Sequence, residues 1–313
     1  MTLSERLPPN ERTDGPGPPA AEKLRPDLDA AAAFSAIART CLRQFRKHQA
    51  AYLASGEPEG VHQMRVALRR LRCAFAFFKP MIDDDDFVAQ VGAVKRLFAA
   101  LGEVRDLDVF LAGLADQSAA GARRATLTRQ AQAARTVADL KLTTALKDAR
   151  TLRRLTALAT WIETGSWTRT QGEDARRLRT MALSRFAQAL LETRTRRIRK
   201  DVRRFKKLDA ARRHRVRLRV KALRYACGWF GPLFTAPKAR TRCAKFTARL
   251  EDLQDQLGRL NDLAIARDIA GRLAGEAPGK DDAEVVAALA SARKAAGRWA
   301  DRRGFWDGAA EVA

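Results

Sequence analysis

Twelve consecutive residues, Val61 to Arg72, read VHQMRVALRRLR. Five of them, His62, Arg65, Arg69, Arg70 and Arg72, carry or can acquire positive charge, and no carboxylate stands among them. A second stretch, HRVRLRVKALRY (214–225), repeats the pattern at a shift of 152 residues. His62 falls on His214, Arg65 on Arg217, Arg69 on Lys221 and Arg72 on Arg224. The chemistry available to such sets is anion binding. Guanidinium forks take two oxygens of an oxyanion at once, and lysine adds a point charge. A protonated imidazole donates from both ring nitrogens.

The spacing assigns both sets to helices. At about 100° per residue, His62, Arg65, Arg69 and Arg72 fall within an arc of about 80°. Val61, Met64, Leu68, Leu71, Phe75 and Phe78 fill the neighbouring arc, and the second copy gives the same two arcs. The basic stripe therefore borders the packed face, where apolar neighbours support the arginine stems while the heads reach solvent. A second match, LGEVRDL (101–107) with LGRLNDL (257–263), follows at a shift of 156. Two matches in the same order indicate a duplicated helical unit. Helical periodicity is expected to pause at Gly102 and Gly258, with Asp106 and Asp262 as N-caps that restart it. Asp83 to Asp86 stand at an expected helix start, where carboxylates favour the positive dipole end. Trp161, Trp167, Trp229, Trp299 and Trp306 are scattered and read as core or interface residues, not as a stacking platform.

The 313 residues are rich in alanine, leucine and arginine, and strand-like alternation is absent. The fold class expected is all-α, built on a duplicated helical unit. Residues 1–25 read as a disordered tail and 26–164 as the first bundle. Residues 165–172 read as a linker, 173–303 as the second bundle and 304–313 as a C-terminal tail. Sixty Lys and Arg oppose thirty-six Asp and Glu, a formal charge of +24. That imbalance calls for a polyanionic partner: nucleic acid, an acidic membrane surface or an inorganic polyanion. No glycine-rich phosphate loop of the GxxxxGK[ST] type is present, and no apolar run approaches the length of a membrane span. The four cysteines, with no CxxC pair, suit a reduced compartment as buried thiols. The expectation is a cytoplasmic protein that does not engage membranes.

These motifs resemble the CHAD family, a helical domain named for its characteristic histidines. The residues that carry the resemblance are EGVHQMRVALRRLR with LGEVRDLDV, then HRVRLRVKALRY with LGRLNDL. The resemblance implies two helical bundles related by an approximate internal two-fold, with a basic cleft between them, and it implies binding of inorganic polyphosphate and association with polyphosphate granules. It places the polyphosphate-binding set on His62, Arg65, Arg69, Arg72, His214, Arg217, Lys221 and Arg224. Family members are often fused to a triphosphate-hydrolysing CYTH domain, and this chain looks like the stand-alone form. Two positions depart from the first copy: Lys221 replaces Arg69, and Asn261 replaces Arg105.

The segment TRTRRIRKDVRRFKK (193–207) is more basic still, and it reads equally as an extension of the basic track or as a general nucleic-acid patch. Residues 194–224 hold sixteen Lys or Arg against two Asp, so Arg105, Arg203, Lys207 and Arg219 are candidate extensions. The plainer alternative for either histidine is a neutral ring bonded to a neighbouring helix. No HxxxH or Cys/His cluster supports a metal site, and the expectation is no metal and no cofactor. An enzyme acting on phosphate chains would need clustered carboxylates or a phosphate-accepting nucleophile. Neither stands out, and no catalytic residue is assigned. The competing reading is a non-specific nucleic-acid-binding protein, motivated by charge alone. Nothing in the sequence identifies a protein partner.

Overall fold

The structure, a computed structural model, describes residues 24–115, 122–169, 172–274 and 283–307. Among these residues it is all helical: ten α-helices and no strand, with one isolated antiparallel bridge between Asp29 and Ala182. The helices are α1 (Ala30–Ser55), α2 (Pro58–Ile82), α3 (Phe87–Ala115), α4 (Ala122–Lys147) and α5 (Ala149–Thr164). They continue with α6 (Glu173–Arg179), α7 (Leu183–Val202), α8 (Ala210–Phe230), α9 (Pro237–Ala274) and α10 (Ala283–Ala300). The chain divides into two compact units. The first holds Ala30–Thr180 and the end of α9 from Asp268; the second holds Met181–Arg267, the segment before Ala30 and the residues from α10 on.

In the first unit, α2 packs on α1 and α3. Gly56, at φ 72°, ends α1, and Pro58 opens α2, where its fixed φ suits the first helical turn. The apolar arc of α2 is the core: Val61, Met64, Leu68, Leu71 and Phe78 are fully buried. Phe34 of α1 lies 5.5 Å from Phe78, 6.0 Å from Trp161 and 5.2 Å from Trp167, ring centre to ring centre. Asp84 ties this aromatic cluster together. Its carboxylate accepts from Trp161 Nε1 at 3.0 Å, Ser166 Oγ at 2.7 Å and the Trp167 amide at 2.9 Å. The acidic run was expected to serve a helix dipole; Asp84 instead serves a tertiary contact, because it meets three donors from a distant turn.

The second unit is built on α7, α8, α9 and α10. Val216, Val220, Leu223, Cys227 and Phe230 of α8 are buried, as are their first-copy counterparts. Its aromatic cluster gathers Phe246, Trp299, Phe305 and Trp306, with Phe305 and Trp306 rings 4.8 Å apart. All five tryptophans of the chain are buried.

Several expectations need correction. Gly102 and Gly258 break nothing: α3 and α9 run through them, and Asp106 and Asp262 sit inside helices, not at N-caps. At the start of the expected second bundle, residues 180–182 separate α6 from α7. The 165–172 segment contains a 3-10 turn, Ser166–Thr168, with Trp167 buried in the first unit, and the division between units falls after Thr180. The expected C-terminal tail is anchored at its start, because Phe305 and Trp306 bury bulky rings that water would penalise. The expected N-terminal tail up to residue 23 and residues 308–313 of the expected C-terminal tail lie outside the described residues.

Candidate anion-binding site

In the first unit α3 carries the surface against which the α2 stripe is laid. Phe98 of α3 presents its ring to three guanidinium groups at once. Arg65 lies 4.8 Å, Arg69 5.7 Å and Arg72 4.6 Å from the ring centre. The negative face of an aromatic ring attracts cations and needs no carboxylate to do so. Gly102, one turn further along α3, completes the seat. A β-carbon built there would come within 2.6 Å of Arg65 Nη1. The glycine is a notch for an arginine head, which is why the helix tolerates it.

The stripe is not wholly solvent-facing. His62 is buried, and Arg65, Arg69 and Arg72 are partly covered. Burial lowers the pKa of Arg72; Cys73 opposes that shift, and Arg69 beside it adds a smaller push downward. Asp106 stands 3.9 Å from Arg65, at the outer limit of an ion pair. Arg105 is partly exposed, and its Nε is buried without a hydrogen-bond partner among the described residues.

The second unit presents the repeated residues differently. Asp209 caps α8 by accepting from the Arg212 amide at 2.7 Å. One turn on, His214 is exposed, and its Nδ1 lies 3.0 Å from Asn261 Oδ1 of α9. The amide oxygen can only accept, so the proton sits on Nδ1 and Nε2 points elsewhere. Lys221 is buried and Arg217 partly so. Arg224 Nη1 donates to Glu251 Oε1 at 2.9 Å, and Arg219 pairs with Asp201. Sequence spacing within α8 alone shows no carboxylate; α7 and α9 supply them. At the shift of 156, Gln254 stands where the first copy has Phe98, and Gly258 has open space where Gly102 has Arg65. The two copies share a sequence pattern and hold their cations by different means.

Of the candidate extensions, Arg203 and Lys207 are exposed, Arg203 at the end of α7 and Lys207 in the 3-10 turn that follows. Phe98 and Glu251 were not singled out from the sequence. A signal existed for Phe98: it precedes Gly102 by four residues and Arg105 by seven, so all three share one face of α3. Among the described residues, no group of three His, Cys, Asp or Glu is placed to hold a metal ion, and no helix is long and apolar enough to cross a membrane.

The sequence matches the profile of the CHAD domain over residues 36–271. The crystal structure of the CHAD domain from the plant Ricinus communis is similar throughout, at 26% identity and a TM-score of 0.69. It covers 94% of this chain and 95% of that one. PptA from Streptomyces chartreusis shares the fold at 18% identity and a TM-score of 0.54, over 90% of this chain and 99% of that one. No protein of curated function matches. Helices, duplicated basic motifs and a profile match spanning most of the sequence lead to one assignment: this chain belongs to the CHAD domain family.

Proposed function

We propose that this protein binds inorganic polyphosphate without transforming it, through the basic stripes of α2 and α8, and that it associates with polyphosphate granules in the cytoplasm. The observation that carries this reading is the set of three arginine heads gathered on Phe98. A linear phosphate chain offers oxygens in every direction, and arginine forks grip them in pairs. Binding of this kind asks for no transition-state stabilisation, so neither a base nor a metal is required by it.

The test is a comparison at one fixed salt concentration. Affinity is measured for long-chain polyphosphate and for single- and double-stranded nucleic acid, because every polyanion affinity falls as salt rises. Polyphosphate should bind most tightly. The Arg65→Ala/Arg217→Ala double variant should remain folded and bind polyphosphate at least about tenfold more weakly, the loss of a charge-assisted bidentate contact. Incubation with polyphosphate and Mg²⁺ should release no phosphate. Parental binding by the double variant, or equal affinity for all three polyanions, would overturn the assignment.

A further inference from the structure

Outside the two motif stripes, one face of α7 forms a second concentration of charge. Arg196, Arg199, Lys200, Arg203 and Arg204 line a surface groove with Glu192. Arg196, Arg199 and Lys200, at i, i+3 and i+4, share one side of α7, and Arg203 and Arg204 follow where the helix ends. Two of the six lining residues have structural duties. Arg199 donates to the Arg302 carbonyl, beyond the end of α10, and Glu192 accepts from Trp306 Nε1 at 3.1 Å. The remaining four are exposed. Among the described residues no carboxylate pairs with any of them. The two aspartates of the 194–224 segment are engaged elsewhere, Asp201 with Arg219 and Asp209 with Arg212 and its amide.

The internal duplication isolates what is special here. At a shift of 153, buried positions of α1 fall on buried positions of α7 and of the 3-10 turn after it: Ala38 on Leu191, Leu42 on Thr195, Phe45 on Ile198 and Tyr52 on Phe205. Arg46 then falls on Arg199, and both donate to a backbone carbonyl, Leu155 in the first unit and Arg302 in the second. That bond is common to both copies. Arg203 and Arg204, by contrast, fall on Ala50 and Ala51. The second copy has replaced two alanines with two cations in a groove already basic, against the cost of like-charge repulsion.

We infer that the α7 groove is a second anion site, separate from the motif stripes, and that it takes a short run of condensed phosphates. The stripe of α8 meets α9, through His214 with Asn261 and Arg224 with Glu251, whereas the α7 row meets the segment after α10. The helical part of the row, from Arg196 to Val202, rises about 9 Å at about 1.5 Å per residue, and Arg203 and Arg204 continue it past the helix end, enough for several successive phosphates. No aromatic side chain lines it, so it lacks the stacking platform by which single-stranded nucleic acids are held. This inference takes its ligand from the proposed function above, but not its residues.

The experiment titrates the full chain with a short polyphosphate at fixed salt. The variants are R196A/K200A/R203A/R204A in the groove and Arg65→Ala/Arg217→Ala in the stripes. The groove variant should lose one equivalent of bound chain. Its plot of log affinity against log salt should be shallower by about one for each cation removed. The stripe variant should retain that equivalent. Should the fourfold substitution reduce helicity, R203A/R204A restores the residues of α1 and should flatten the salt plot by about two. Parental stoichiometry and salt slope in the groove variants would overturn the inference. So would loss of single-stranded nucleic-acid binding with polyphosphate binding intact. An unchanged stripe variant beside a weakened groove variant would sink the stripe reading and leave this one standing.

Discussion

At the scale of single residues, the first unit separates stability from ligand readiness at two positions of α3. Gly102 lies in mid-helix, where alanine is favoured by about 0.8–1.0 kcal/mol. The added methyl would meet only the far end of Arg65, which can move aside. Gly102→Ala is therefore expected to raise the melting temperature and weaken polyphosphate binding several-fold. Gly258→Ala, with open space around it, should stabilise the helix and leave binding alone. Phe98→Leu should also weaken binding, since each cation–ring contact is worth about 0.5–1 kcal/mol at a solvated site, while Phe98→Trp should preserve it. Denaturation curves and binding isotherms on the same four variants decide the matter. A Gly102→Ala protein that binds as the parent does would refute the role given to the notch.

At the scale of elements, the joint between α2, α3 and α5 depends on one carboxylate. Asp84, in the short α2–α3 connection, accepts from two indole-bearing residues and a serine beyond α5. Asp84→Ala leaves those donors short of a partner near the core, and hydrogen bonds to a charged acceptor are worth about 1.5–3 kcal/mol each. Allowing for water to replace part of that, the variant should lose about 2–4 kcal/mol of stability. Its Trp161 and Trp167 fluorescence should shift to the red. Asp85→Ala, one residue along and with no such contacts in view, is the control. Equal behaviour of the two variants in urea titrations would remove Asp84 from this role.

At the scale of the whole molecule, alkaline pH finds the groups that burial keeps protonated. Desolvation raises the Cys41 thiol from 9.0 to about 12, opposed by Arg70. Burial, then the hydrogen bond to Asp139, raises Tyr52 from 10.0 to about 12. Both groups are protonated in the folded and unfolded chains below about pH 9. Between about pH 9 and 12 the unfolded chain gives up these protons first, so stability falls as pH rises through that window. Thermal melts from pH 8 to 11 should show the decline. A Cys41→Ala/Tyr52→Phe variant should be less stable at pH 8, having lost packing and a hydrogen bond, yet decline less steeply above pH 9. A slope equal to that of the parent would show that other groups control alkaline stability. The formal charge of +24 acts in the opposite sense, since deprotonation of lysines relieves repulsion, and the variant comparison cancels that common contribution.

Local periodicity and the duplicated register were enough to determine the helical class, the apolar arcs of α2 and α8 and the cationic stripes beside them. Those features depend on the order of neighbours along one helix, and a helix converts that order into faces by a fixed rotation. What lies across from a face is set by another helix, distant in sequence. Tertiary structure alone decided that Arg65, Arg69 and Arg72 share the ring of Phe98, that Gly102 admits a guanidinium instead of ending a helix, and that Glu251 answers Arg224. The same cause explains why one repeated motif is seated in two ways. The stripes kept their spacing, but the residues opposite them, Phe98 in one copy and Gln254 in the other, are free to differ because no helical register links them to the stripe.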